Sequence, residues 1–305
     1  MRPAAAVGVA CLALAADAAA QPVRPGDGAG SDAGAQLLSI VGLTITPDIT
    51  ASRLRPNGAG VLDGQRIDTL RLANDVSIAT ADGPLYLEGN LGFARAEIDL
   101  RLGDGVVEAN SFDAVGAFGA AGPDLEVGRF TRIRPLLILG LGYVDDDFGL
   151  PEPVAGDDEE TLDLRQWSVA YGVGVSLDHE RPIGDDSLDL RFKASQVFFE
   201  TLWSADPRLT SNTVNQTLNA SATYKYDTGL RLAARPLLLT GLLGANAFLG
   251  DQQDALGFAW FGEYGAGLEL DLSGGEGAVQ RARVRVTGIA GDGVTGISFG
   301  AGIGF

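Results

Sequence analysis

Residue types that commonly build protein sites are almost missing from this chain of 305 residues. The one cysteine is Cys11 and the one histidine is His179. The chain has only two lysines, Lys193 and Lys225, and its other Lys/Arg-type residues are all arginines. Because Cys11 falls in a segment that we expect to be removed, the remaining chain can form no internal disulfide and no cysteine-based metal site. We therefore expect no cofactor and no resident metal.

Positive charge is also scarce, with 22 Lys and Arg against 40 Asp and Glu and a formal net charge of −18. Nucleic-acid-binding proteins present a basic surface, so we expect no nucleic-acid partner. The segment 145–164 carries the acidic runs Asp145–Asp147 and Asp157–Glu160. Their spacing does not match an EF-hand loop, which favours a solvated acidic loop and leaves a Ca²⁺ site as the alternative.

A long apolar run is absent after the first 20 residues, so the sequence predicts no transmembrane helix. Residues 1–20 begin with Arg2, continue as an Ala/Val/Leu run and end at Ala18-Ala19-Ala20. This order is typical of a secretory signal peptide, with cleavage before Gln21. A lipoprotein that uses Cys11 is the alternative. Residues 21–36 are rich in Gly, Asp and Pro and are predicted to be a flexible segment.

What the chain does contain is a strong alternation of apolar residues with small or polar ones. It runs through 85–93, 167–177, 214–226, 258–270 and 297–305. These stretches exceed the roughly 5–6 residues of an ordinary soluble strand. Long two-faced strands predict an all-β fold, a transmembrane antiparallel up-and-down β-barrel over residues 37–305. A secreted soluble β-protein is the alternative.

Counting back from the end of the chain gives twelve predicted strands, with ten or fourteen remaining open. They are 37–53, 66–80, 85–101, 111–120, 125–144, 165–177, 187–200, 213–226, 230–248, 257–272, 279–290 and 294–305. The predicted periplasmic turns are 81–84, 121–124, 178–186, 227–229 and 273–278. The predicted outer loops are 54–65, 102–110, 145–164, 201–212, 249–256 and 291–293.

Aromatic residues fall near the predicted strand ends. Trp167, Trp203 and Trp260 lie at outer ends, whereas Tyr224 and Tyr226 lie at periplasmic ends, as does Phe305. Amphipathic rings suit the headgroup level of a bilayer, so the pattern predicts two aromatic girdles.

A ladder of alternating charges marks the predicted strands 257–272 and 279–290. Its members are Glu263, Glu269, Asp271, Arg281, Arg283 and Arg285. Because residues 273–278 join the two strands, these strands must be antiparallel neighbours with lumen positions facing lumen positions. The register that satisfies this sets Asp271 opposite Arg281 and Glu269 opposite Arg283. We expect a structural ladder of neutralised charges, with a ligand site as the alternative.

Catalytic motifs do not appear in the sequence. His179 falls in a predicted periplasmic turn, between Asp178 and Glu180, where no lipid or peptide substrate on the outer rim would reach it. The letters GISFG (296–300) match Gly-x-Ser-x-Gly, but they lie within a predicted strand rather than at a strand-to-helix turn, and the chain contains no His-Glu-x-x-His or P-loop pattern. The sequence therefore predicts that the protein is not an enzyme, and an outer-membrane hydrolase is a poor third reading.

The segments PLYLEGNLGFAR (84–95), PLLILGLGYVDDD (135–147) and GISFGAGIGF (296–305) carry a resemblance to a known family. The chain resembles the solitary autotransporter-like β-barrels of the outer membrane. The resemblance implies a barrel of twelve strands in the outer membrane of a Gram-negative cell. The chain differs from translocators that secrete a passenger domain, because only some sixteen residues lie between the predicted signal peptide and the predicted barrel.

The expected function is that of a non-enzymatic outer-membrane barrel, either a narrow pore or a surface scaffold. A porin-like solute channel is the alternative. The expected partners are outer-membrane lipid, lipopolysaccharide and the β-barrel assembly machinery. The last strand is the expected assembly signal, through Phe305, Ile303 and Phe299.

Deleting Phe305 tests this assembly signal. We expect several-fold less folded, membrane-inserted protein with unchanged export, because only the terminal contact with the assembly machinery is lost. Heat-modifiable gel mobility of membrane fractions measures insertion. Unchanged insertion of the shortened chain would contradict the assignment.

Overall fold

The computed structural model describes residues 49–56, 66–81, 83–102, 105–146, 165–205, 212–256, 258–273 and 279–304. The predicted signal peptide, the flexible segment 21–36, the first part of the predicted strand 37–53 and Phe305 lie outside the described residues. No helix in the described part of the chain is long and apolar enough to cross a membrane.

The described chain is built almost entirely from strands. They are β1 (Ile49–Pro56), β2 (Arg66–Thr80), β3 (Gly83–Leu102), β4 (Gly105–Pro123), β5 (Leu125–Gly128), β6 (Thr131–Asp146), β7 (Gln166–Ile183), β8 (Asp186–Ser204), β9 (Asn212–Leu232), β10 (Arg235–Gly250), β11 (Trp260–Asp271), β12 (Arg281–Gly291) and β13 (Val294–Gly304). One short helix, α1 (Asp251–Leu256), lies between β10 and β11.

The strands form one closed antiparallel barrel. Each pairs with its neighbour in the chain, and β1 pairs with β13 to close the circle. The short β5 continues the line of β4, and both pair with β6, so the barrel has 12 strands around its wall plus this extra strand. The predicted fold class and strand count are therefore confirmed. Closure leaves no sheet edge with unpaired N–H and C=O groups. Lipid could not form hydrogen bonds to such groups.

Side chains alternate between a polar inside and an apolar outside. Leu139 and Leu243 are each 67% exposed on the outer face, and Phe299 is 55% exposed. Water-soluble monomers rarely expose a continuous apolar belt of this kind, whereas a lipid-facing barrel wall requires one. The two ends of the barrel are named here by their connections. The turn end carries the turns 129–130, 184–185 and 233–234, and the loop end lies opposite.

Charged and aromatic side chains border the apolar belt at the loop end. On the outer face, Arg53 Nε lies 2.7 Å from Asp68 Oδ1, and Arg95 Nη2 lies 2.5 Å from Asp113 Oδ2. The three tryptophans are exposed near the same end, at 46% (Trp167), 51% (Trp203) and 51% (Trp260). Tyr224 and Tyr226 are also exposed, but β9 continues to Leu232, so they do not lie at a strand end as predicted.

Several predicted connections are wrong, because the strands run further than the turn signals suggest. The turn predicted at 121–124 lies at 129–130, so the predicted strand 125–144 is divided into β5 and β6. Within the predicted turn 178–186, residues up to Ile183 are strand and only 184–185 turn, so His179 lies in β7. The turn predicted at 227–229 lies at 233–234. Most of the predicted outer loop 102–110 is strand, since β4 begins at Gly105.

The Asp227-Thr228-Gly229 segment shows why the turn between β9 and β10 was predicted at the wrong position. Gly229 has φ +68°, and its N–H donates to Asp227 Oδ1 at 2.9 Å. Thr228 Oγ1 donates to the carbonyl oxygen of Leu237 at 2.5 Å. These are the features of a β-bulge, and the pairing with β10 resumes beyond it after a register shift between Pro236 and Leu238.

An apolar layer fills the loop end of the lumen. It consists of Leu54, Ile67, Ala94, Ala96, Ala114, Val144, Ala170, Phe199, Phe248, Leu256, Phe258, Ile289 and Val294. The sequence pattern placed Phe258 on the lipid face, and this is wrong. The chain turns inward through α1, so Leu256 is fully buried and Phe258 is 3% exposed. The Phe258 ring packs edge-on against Phe248 at 5.7 Å.

The turn between β9 and β10 provides a test of the fold. Ala233 and Ala234 have φ of 49° and 64°, a type I′ arrangement that strongly favours Asn-Gly. The double substitution Ala233→Asn/Ala234→Gly should raise the free energy of unfolding by about 1 kcal/mol, measured by urea titration in lipid vesicles. As a control, Ala222→Gly within β9 should lower it. A loss of stability in the turn variant would contradict the assigned turn.

Candidate functional site: the barrel lumen

The lumen is divided along its length. A cavity of about 600 Å³ lies at the turn end and is lined by residues that include Glu126, Arg129 and Asp178. Two much smaller cavities, of about 50 and 60 Å³, lie between it and the apolar layer. The free space therefore narrows sharply from the turn end toward the loop end.

One ion pair crosses the narrow part of the lumen. Lys193 Nζ on β8 lies 2.7 and 2.9 Å from the two carboxylate oxygens of Glu88 on β3. Along the shorter path around the wall, β4, β6 and β7 separate these strands, so the contact spans the interior rather than joining neighbours. Both side chains are 13% exposed. We call this contact the cross-lumen pair.

A second contact spans the lumen beside it. Arg191 Nη2 on β8 lies 4.0 Å from Asp75 Oδ2 on β2. These two strands lie nearly opposite each other in the barrel wall. The Tyr86 hydroxyl donates toward Asp75 at 3.2 Å and toward Glu88 at 3.3 Å. Tyr86 thus links the two carboxylates that receive the cations of β8.

The network continues along the wall toward the turn end. Arg134 Nε donates to Asp124 Oδ1 at 2.9 Å, and Arg134 Nη1 pairs with Asp178. Asp178 also accepts from Arg191 Nε at 3.1 Å. The Arg134 guanidinium carbon lies 4.1 Å from the centroid of the Tyr86 ring, within cation–π distance. Ionic and cation–π contacts therefore connect β2, β3, β6, β7 and β8 across the interior.

The opposite wall carries a separate polar cluster. Lys225 Nζ on β9 lies 2.8 Å from Asp189 Oδ2 and 3.3 Å from Glu269 Oε1. Lys225 and Glu269 are almost fully buried. A buried charge is tolerated only when it is paired, and this ammonium has two carboxylates beside it.

The predicted charge ladder lies in the lumen in the predicted register. Asp271 is opposite Arg281 and Glu269 is opposite Arg283. Arg281 and Arg283 line the cavity of about 600 Å³. Glu263 and Arg285 line the cavity of about 60 Å³. Whether the ladder is structural or binds a ligand stays a prediction.

Two members of the ladder have contacts that the sequence did not reveal. Glu269 also meets Lys225, which reaches it from β9 across β10. The Asp271 carboxylate accepts the backbone N–H of Ser273 at 2.8 Å. Of the predicted assembly residues, Phe299 and Ile303 face outward and are 55% and 49% exposed.

The main residues that sequence reasoning missed are Glu88, Lys193 and Lys225. A signal was present, because Leu188, Leu190 and Phe192 alternate with Asp189, Arg191 and Lys193. That alternation assigns the three charges to the lumen. It cannot say which of them meet across the barrel.

The single histidine and the acidic segment are the remaining candidates. His179 Nδ1 lies 2.8 Å from Thr131 Oγ1 on the neighbouring β6. In the part of the chain that the structure describes, no group of three or more His, Cys, Asp or Glu side chains could hold a metal ion. Most of the acidic segment 145–164 lies outside that part.

Comparison with known proteins finds solved structures at 11–17% sequence identity. No family model matches the chain, and no curated protein matches it. The beta domain of the Bordetella autotransporter BrkA is 17% identical, with 83% of this chain and 95% of that chain covered and a TM-score of 0.48. The transport unit of the autotransporter AIDA-I from Escherichia coli is 13% identical (93% and 100% covered, TM-score 0.48). The KdgM porin is 11% identical (85% and 99% covered, TM-score 0.38).

The closed strand circle, the apolar outer belt and the charged interior define the class. The protein has the fold of an outer-membrane β-barrel.

Removal of one partner of the cross-lumen pair should destabilise the folded barrel. Glu88→Gln or Lys193→Met leaves the other group poorly compensated, so each should lower the free energy of unfolding by about 3–5 kcal/mol. The double variant should recover much of this loss, because no unpaired charge remains. Urea unfolding from lipid vesicles measures all three.

The control is Arg95→Gln on the outer face. Its pair with Asp113 is more exposed, so the loss should be about 1 kcal/mol or less. Additive losses in the double variant would show that Glu88 and Lys193 are not coupled.

Proposed function

We propose that this protein is a non-enzymatic integral outer-membrane barrel that works as a narrow pore, closed at rest. The observation that carries the proposal is the contact of Lys193 with Glu88 across the lumen. An open solute channel needs a continuous water-filled path, and this pair occupies its middle.

Two barriers of different chemistry support a closed resting state. The cross-lumen pair and the Arg191–Asp75 contact occupy the middle of the barrel. The apolar layer, with Leu256 and Phe258 folded inward, occupies the loop end. The cavities of about 50 and 60 Å³ beside these barriers are much smaller than the cavity of about 600 Å³ at the turn end. Because the barriers lie in series, an ion would have to pass both.

The proposal that the barrel is not an enzyme is supported by how its lumen charges are paired. Asp124, Asp178 and Glu88 each receive a cation from another strand. Groups committed to such pairs hold strands together and are poorly placed to act as a nucleophile or general base. The described contact of His179 Nδ1 is with the Thr131 hydroxyl at 2.8 Å, not with a carboxylate.

The environment of the barrel follows from its outer face. The apolar belt fits the acyl chains of the outer membrane, and lipopolysaccharide is the expected partner at the loop end. Export by the predicted signal peptide 1–20 would bring the chain to the assembly machinery. The last strand, with outward-facing Phe299 and Ile303, is the segment that this machinery would read.

A porin-like solute channel is the second candidate. The cavity of about 600 Å³ favours it, because Arg281 and Arg283 stand in its wall and would act on passing ions. In this reading the cross-lumen pair is a constriction with water around it rather than a barrier.

Single-channel recording in planar bilayers distinguishes the two. The wild-type barrel should show little steady conductance. Combining Glu88→Ser/Lys193→Ser with Leu256→Ser/Phe258→Ser should raise the mean conductance several-fold, because the cross-lumen pair and the two inward-folded apolar side chains are then removed. Either pair of substitutions alone should have a smaller effect.

The outward-facing variant Arg53→Gln is the matched control and should conduct as the wild type does. Heat-modifiable gel mobility confirms that each variant is folded. A stable, large conductance of the wild type would overturn the closed pore in favour of the porin. In that case Arg281→Gln/Arg283→Gln should shift ion preference toward cations.

A further inference from the structure

The cavity of about 50 Å³ lies between the cross-lumen pair and the apolar layer. Glu88 and Lys193 stand in its wall, and so do the rings of Phe118 and Phe199. Phe199 belongs to the apolar layer, and Phe118 packs against that layer. The cavity therefore has an ionic side toward the turn end and an aromatic side toward the loop end.

Strand β9 gives this region of the lumen a wall that is polar but uncharged. Its inward-facing residues here are all Thr or Asn, and each is at most 4% exposed: Thr213, Asn215, Thr217 and Asn219. The last three line the cavity, together with Ser195 of β8. This part of the wall therefore offers hydrogen bonds without offering charge.

Asn215 is the member of this wall whose hydrogen bonds are not made. It is 2% exposed, and in the described part of the chain neither its Nδ2 nor its Oδ1 has a hydrogen-bond partner. Its cross-strand neighbours are Val197 and Gly250, which carry no polar side chain. Asn219, by contrast, donates from Nδ2 to Asn246 Oδ1 at 2.7 Å.

Both ends of the Asn215 amide therefore face the same need. The conclusion is the same whichever way the amide is turned, because neither terminal atom has a partner. A buried amide that makes no hydrogen bond destabilises a fold, so such a group calls for a partner from outside the chain. That partner must present one acceptor and one donor side by side.

We propose that this cavity binds one small uncharged primary carboxamide, of the size of acetamide. Its carbonyl oxygen would accept from Asn215 Nδ2 while its N–H group donates to Asn215 Oδ1, so a single molecule satisfies both atoms. Its methyl group would lie against Phe118 and Phe199, whose ring centroids are 6.0 Å apart. An apolar wall with a few placed polar groups is the usual form of a small-molecule site.

The size and the polarity of the wall restrict the ligand further. A volume of about 50 Å³ admits about four water-sized groups, which matches the four heavy atoms of acetamide and excludes a sugar ring. The side chains next to Asn215, those of Val197, Thr213 and Thr217, are uncharged. A buried ion there would lack an adjacent counter-charge, which favours a neutral ligand.

The position of the site suggests the solute class of the barrel. A solute that enters from the turn end and passes the cross-lumen pair reaches Asn215 before it meets the apolar layer. The site would then hold small neutral amides between the two barriers. This role rests on the proposed pore, whereas binding at Asn215 does not.

Titration with acetamide tests the binding. In the full-length barrel, labelled with nitrogen-15 and refolded in lipid nanodiscs, the side-chain amide resonance of Asn215 should shift and reach saturation. Acetate has the same shape but carries a charge and no N–H group, so it should leave the resonance in place. A cavity that holds only water would give no saturable shift with acetamide, and this result would overturn the proposal.

Asn215→Leu supplies the matched variant, because it keeps the side-chain volume and removes both polar atoms. It should fold at least as stably as the wild type, and the acetamide-induced shifts of the Val197 and Thr217 backbone amides should be lost. Gln216→Leu is the control on the outer face of β9, where Gln216 Nε2 donates to Gln196 Oε1 at 3.3 Å. It should bind acetamide as the wild type does. Unchanged binding by Asn215→Leu would contradict the assignment of the site.

The site and the proposed pore can fail separately. A large steady conductance of the wild type would overturn the closed pore, and the acetamide titration would still decide on the site. A titration without saturable shifts would overturn the site, and the conductance of the variants at Glu88 and Lys193 would still decide on the pore.

Discussion

Closure of the backbone ladder is the constraint on which the rest of this structure depends. In lipid, an unpaired N–H or C=O has no partner, so every strand edge must be used, and β1 must meet β13. Once the circle is closed, each residue faces either lipid or lumen. The alternation of Leu and Phe outside with Ser, Thr, Gly and charge inside follows directly from that division. It also explains how a chain without a possible internal disulfide can be stable.

The lumen then sets a second condition, because it is too small to hydrate many charges. Its cations are accordingly found beside carboxylates from other strands. Both lysines of the chain, Lys193 and Lys225, point inward to such partners. Contacts between distant strands therefore supplement the hydrogen bonds between neighbours, and they resist flattening of the barrel wall.

The sequence predicts the parts of this fold that repeat locally. Period-two alternation identified the barrel, its strand count and the facing of most strands, and it gave the register of Asp271 with Arg281. Strand ends were harder, because Asp-Thr-Gly at 227–229 fits a bulge as well as a turn. Phe258 was misplaced since the chain leaves the sheet before it. The cross-lumen pair joins residues 105 positions apart, and no local pattern specifies such a meeting.

The two barriers of the proposed closed pore differ in physical kind, and this difference matters for how such a pore would respond to its surroundings. The apolar layer is held by burial and aromatic packing, which salt weakens little. The ionic contacts around Glu88 and Lys193 depend on charge, and screening acts on them wherever water enters. The cavity of about 600 Å³ lies on the turn-end side of those contacts. In the proposed pore, ions entering from that side would therefore meet the charge-sensitive barrier first, while packing would keep the loop end closed. Such a pore could lose its ionic contacts near the turn end while the apolar layer still closes the lumen at the loop end.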